Sequence, residues 1–132
     1  MDPTYKANAK ECLAAVKVWQ AELNSWATEL MFLQRMLDIY GLKAMEEPHS
    51  GQVRALKQNM SRHLKETTEQ LKQILHQHEE HLALIVEDRL LLIDRELPYK
   101  HKDAERAMLE CRAGFHGIQQ AAFHIIEELK RF

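Results

Sequence analysis

His78 and His81 stand one helical turn apart on a stripe otherwise built mainly of leucine and isoleucine, and the chain has just two cysteines, Cys12 and Cys111. Imidazole and thiolate are the ligands zinc prefers in a closed tetrahedral site. The two connections set an expected register. If Tyr40 lies level with Val53, Cys12 falls opposite His81. If Leu92 lies level with Ala104, His81 falls opposite Phe115 and Ile85 opposite Cys111. Cys12, His78, His81 and Cys111 would then gather within about two turns of one another in a helical interior. The simpler reading is that the cysteines act as small buried hydrophobes and the histidines as a polar layer able to titrate near neutrality. Nearby His76 points away from His78, and the Glu-x-x-His pairs of di-iron bundles are missing. Zinc is thus the alternative cofactor, and no cofactor the first expectation.

Other chemistry is harder to find. No glycine-rich phosphate loop, nucleophile elbow or zinc-protease pair occurs. Ser25, Ser50 and Ser61 have no histidine base at helical spacing. His63 with Lys65 resembles the phosphate-accepting histidine of phosphotransfer bundles only loosely, because the spacing differs and the following glycine is absent. A non-enzymatic protein is expected. Gly114 and Gly117, with Ala107 and Ala121, form a small-residue face. Glycine inside a helix costs roughly 1 kcal/mol relative to alanine, so a compensating contact is expected. Close approach of the alanine-rich first helix (Ala7, Ala14, Ala15, Ala21) is one explanation, and a gap admitting a ligand is the other.

The elements that must position these residues are helices. Asp2 and Pro3 form a start signal, a capping side chain followed by a preset φ. From there Tyr5, Ala9, Cys12, Val16, Trp19, Leu23, Trp26, Leu30, Leu33, Leu37 and Tyr40 recur in alternating steps of four and three, ending at Gly41, read as a left-handed stop. Residues 42 to 50 read as a loop. A second helix is expected from about Gln52 to Glu96, with the stripe Val53, Leu56, Met60, Leu64, Thr67, Leu71, Ile74, His78, His81, Ile85, Asp88 and Leu92. A break near Gln77 to Glu80 would turn three helices into four. Pro98 to Lys102 reads as a link and Asp103 as the cap of a third helix, striped by Ala104, Met108, Cys111, Phe115, Ile118, Ala122, Ile125, Leu129 and Phe132. Short links force antiparallel neighbours. The expected fold is all-α, an up-down-up antiparallel bundle of three long helices forming one domain over residues 1–132.

Composition narrows the partners. A formal net charge of −2 gives no electrostatic attraction to nucleic acid or an anionic membrane. The densest basic stretch (Arg54, Lys57, Arg62, Lys65, with His63) lacks interleaved aromatics and reads as a solvated face. No apolar run is long enough to span a bilayer, no secretion signal opens the chain, and two cysteines make no disulfide framework, so a cytoplasmic protein is expected. Apolar residues are nonetheless in surplus. From Leu82 to Ile93 they occupy nearly every face (Leu84, Leu90, Leu91 and Ile93 among them). Beyond the main stripes lie Met31, Phe32, Met36 and Ile39 in the first helix, and Phe123 and Ile126 in the third. A three-helix bundle covers one face of each helix, so these patches call for self-association, most simply as a homodimer, or for a docked partner helix. The leading expectation is a non-enzymatic interaction or scaffold protein. The alternative is a bundle that binds a metal or small ligand in its interior.

Overall fold

The computed structural model describes residues 3–41, 50–89 and 95–130. Helix α1 runs Pro3–Gly41, α2 Ser50–Arg62 and α3 Glu69–Val86, with a π-helical segment His63–Thr68 joining the last two, and α4 runs Leu97–Leu129. Helices α2 and α3 with the π segment form one continuous middle rod, so the architecture is a bundle of three rods. Polar bridges fix their directions. Lys6 meets Asp88 at 2.6 Å, Gln20 meets Glu79 at 2.6 Å and Asp38 bonds Lys57, so α1 and the middle rod are antiparallel. Arg112 reaches Glu22 at 2.9 Å and Gln119 reaches Glu29 at 2.8 Å, so α4 runs parallel to α1.

The first stripe forms as its spacing demands. Ala9, Val16, Leu23, Leu30, Leu33 and Leu37 are all fully buried, and Trp26 stacks on Phe115 of α4 at 5.6 Å. Gly41 is not a left-handed stop: it is the last residue of α1, and no described glycine has positive φ.

The middle rod departs from its expected stripe. Its buried positions are Val53, Leu56, Met60, His63, Thr68, Leu71, Leu75, His78, Leu82 and Ile85. The step of five between His63 and Thr68 is the π turn, whose wider ring takes up one extra residue. That residue turns α3 so that Leu75 and Leu82 face the core where Ile74 and His81 were expected. Ile74 is left exposed and His81 half-buried. The shift exchanges the imidazole of His81 for Leu82 at the far end of the rod and brings His63 inward at the near end. The rod passes through His78 unbroken.

The rod also stops early, at Val86 rather than Glu96. Asp88 adopts φ 57, its N–H bonds to Ile85 O at 3.1 Å, and Arg89 N–H bonds to Leu84 O at 2.8 Å. This is a Schellman cap with aspartate in the place usually taken by glycine, which a short polar side chain tolerates. Asp88 is therefore an exposed cap held by Lys6, not a member of the stripe. Pro98 does not precede α4 but lies in its first turn, where its missing N–H leaves no bond unmade. Asp103 is inside the helix. Together these shifts move the register of α4: His78 meets His101, whereas the expected pairing set it opposite Ile118, roughly 25 Å further along the helix.

Candidate functional site

Among the described residues the interior holds two polar layers. In the first, His78 (7 % exposed) places Nε2 2.9 Å from Nδ1 of His101, so one ring donates and the other accepts. His101 in turn stacks on Trp19, with ring centroids 5.0 Å apart. Burial pushes the pKa of His78 down to about 4, helped by the positive charges His101, His81 and Lys100 would carry. Burial lowers His101 as well, against a raising pull from Glu105. The layer opens on a cleft of about 450 Å³ lined by Ile74, Gln77, His78, His81, Lys100, Asp103, Ala104 and Ala107.

In the second layer, His63 places Nε2 3.7 Å from Sγ of Cys111. Burial pushes the Cys111 thiol up, with a hydrogen bond from Thr68 pulling the other way, and pushes the His63 imidazole down. The π turn brings His63 and Thr68 onto one face toward α4. Gly114 makes room for the imidazole: a Cβ there would lie 3.0 Å from Cε1 of His63. Gly114 and Ala107 thus lie toward the middle rod, not toward α1 as the sequence suggested, while Ala121 is exposed. Gly117 faces open space. A second cleft, about 430 Å³, lies beside this layer and shares Ile74 and Ala107 with the first.

The register between α1 and the middle rod is as expected, so Cys12 does lie near the level of His81. The register between the middle rod and α4 is not, so Cys111 is carried to His63 and away from His78. The set Cys12, His78, His81 and Cys111 is not assembled, and no group of three or more His, Cys, Asp or Glu able to hold a metal exists among the described residues. His63, Thr68 and His101 are the interior polar residues that periodicity passed over. A strict three–four stripe skips His63 and Thr68, and a misplaced helix start put His101 in a link.

The outer face of α1 is unusual in a different way. From Val18 to Phe32 its exposed residues are Val18, Ala21, Asn24, Ser25, Thr28, Met31 and Phe32, and none is charged. The solvent face of a surface helix normally carries its charges. Thr28 even turns its hydroxyl back onto the Asn24 carbonyl, at 2.9 Å, leaving its methyl for the surface. Val18 is 58 %, Phe32 57 % and Ile39 64 % exposed. Leu109 and Phe123 of α4, also exposed, repeat the spacing of Val18 and Phe32. The Glu22–Arg112 and Glu29–Gln119 bridges bring the two stripes level, on either side of the α1/α4 seam.

Among the other expected interface residues, Leu84 is exposed on the flank of α3, Met36 is half-buried against the core, and Ile126 is buried. Leu90, Leu91 and Ile93 lie outside the described residues. No described helix is long and apolar enough to cross a membrane. Compared with known proteins, the chain matches no family model, no curated relative and no solved structure.

Proposed function

We propose that this chain is a non-enzymatic interaction protein whose working surface is the uncharged outer face of α1 with the flanking apolar stripe of α4. The observation that supports it is the alignment of Val18 and Phe32 with Leu109 and Phe123, large side chains exposed on two adjacent rods at one register. Burying one such side chain is worth about 1.5–3 kcal/mol, so leaving this set in water is a standing drive toward association. Self-association as a homodimer satisfies it most simply, and a partner helix laid along the α1/α4 seam is the other way to cover it.

Native mass spectrometry of the untagged chain, purified without chelator, tests the reading. A dimer that Phe32→Glu converts to monomer supports it. A dimer that persists in that variant overturns it.

A second reading rests on the two connected clefts between the middle rod and α4. Their polar floor of His78, His63 and Cys111, with an apolar wall at Ile74 and Ala107, is suited to a small ligand. The same spectrum separates the two: bound mass that His78→Leu removes would favour the ligand.

A further inference from the structure

On the outer face of α1 a second seam runs alongside the buried one. Glu11, Ala14, Val18, Ala21, Ser25 and Thr28 succeed one another in steps of three and four, all exposed, and Phe32, Arg35 and Ile39 continue the series. Alternation of this kind keeps one line of side chains facing a partner helix along its whole length. Its composition is uneven in a way that fixes the partner's direction. The bulky residue Phe32 lies toward the C-terminal end, the small residue Ala14 toward the N-terminal end, with Glu11 just before the small residue and Arg35 just after the bulky one.

Resting on the reading of this face as an interaction surface, we infer that its occupant is a second copy of the chain, with the two α1 helices antiparallel about a two-fold axis near Leu23. That pairing sets Phe32 against Ala14 of the second copy, Val18 against Thr28 and Ala21 against Ser25, so the bulkiest side chain meets one of the smallest and the other pairs are matched in size. It closes each end with Arg35 of one copy beside Glu11 of the other. Within the chain neither has an ion-pair partner among the described residues. Lys10 comes toward Asp38 of the second copy in the same arrangement. A parallel pairing would place Glu11 against Glu11, Arg35 against Arg35 and Phe32 against Phe32. Sliding the antiparallel pair by one heptad would set Arg35 against Val18.

The size is sufficient. From Glu11 to Ile39 the face is about 42 Å long, and two adjacent rods are about 20 Å wide, so roughly 800 Å² per copy is available. Stable interfaces bury about that much on each partner. Leu109 and Phe123 of α4 flank the seam and are covered with it.

Sedimentation equilibrium of the full chain with Glu11→Arg, Arg35→Glu, and an equimolar mixture of the two tests the pairing. Each substitution alone puts like charges at both ends, and we expect each to dissociate the dimer tenfold or more readily. In the mixture every end regains an opposite pair, so heterodimers should form with affinity within about threefold of the unsubstituted chain. All these positions are exposed, and unchanged helical circular dichroism confirms that the variants fold. If the mixture forms no preferred heterodimer while Phe32→Glu still yields monomers, the antiparallel pairing is overturned and the interaction surface stands. If the unsubstituted chain is monomeric at 100 μM (about 1.5 mg/ml), the second copy is ruled out as occupant. If Phe32→Glu remains a dimer, both the pairing and the surface fall.

Discussion

Acidification should destabilise the fold through His78. Its pKa lies at about 4 in the folded chain against 6.5 for a free imidazole. A histidine held neutral by folding makes the unfolded state bind the extra proton first. The stability it lends is complete above about pH 6.5 and drains away as pH falls toward 4. At 1.36 kcal/mol per pKa unit, going from pH 7.5 to 4.5 removes about 2.5 kcal/mol. With a urea m-value of roughly 2 kcal/mol/M for a chain of this size, the unfolding midpoint should drop by about 1 M. Urea titrations monitored by circular dichroism, at one fixed protein concentration because any dimer makes stability concentration-dependent, give the number directly. His78→Leu removes the group, and its midpoint should fall by about 1 M less over the same range. His63 and His101 are also lowered by burial and remain in both proteins, so the difference belongs to His78. Asp88 has its pKa lowered by Lys6 and begins to matter only below this window. Parallel pH profiles for the two proteins would refute the reasoning.

The two helical glycines should respond oppositely to the same substitution. Gly117→Ala faces open space and should raise stability by roughly 0.5–1 kcal/mol, whereas Gly114→Ala must displace His63 and should fall short of that gain by about 1 kcal/mol in thermal melts. Phe115→Ala, at a residue 2 % exposed and stacked on Trp26, should cost about 3–5 kcal/mol in denaturant titrations, and a loss below 1 kcal/mol would mean the stack is not formed. Thiol labelling at pH 8 should modify the half-buried Cys12 first and reach Cys111 only as the bundle opens, since burial both shields Cys111 and holds its thiol protonated. Equal labelling rates in the native protein would contradict the placement of Cys111.

The stripe of the first rod was legible because its apolar steps never leave the three–four pattern, and from Ala9 to Leu37 every stripe residue is buried except the half-buried Cys12 and Trp19. Its register against the middle rod was equally legible, being fixed by a single connection. The α4 register was not. It depended on reading Pro98 as a separator, when proline is as well suited to opening a helix as to preventing one. It also depended on Asp88 continuing the stripe, when aspartate is among the few side chains that accept a left-handed cap. The histidine layers failed for a related reason. Both the stripe through Ile74 and His81 and the one through Leu75 and Leu82 fit the local spacing, and only packing against the other two rods decides between them. The uncharged face of α1 was visible as isolated extra hydrophobics such as Phe32. Its continuity needed the knowledge of which positions face water.

The π segment has a consequence for how this chain tolerates changes in its length. Elsewhere in the rods, losing one residue rotates everything beyond it by about 100° and takes half the core out of place. Between His63 and Thr68 the helix already holds one residue more than an α-helix would use for that span. Deleting Glu66 would let the rod close into ordinary α-helix with Met60 above and Leu71 below still turned inward. The middle rod thus carries one internal site where the loss of a single residue should leave the core facing inward, a tolerance expected nowhere else along the described rods.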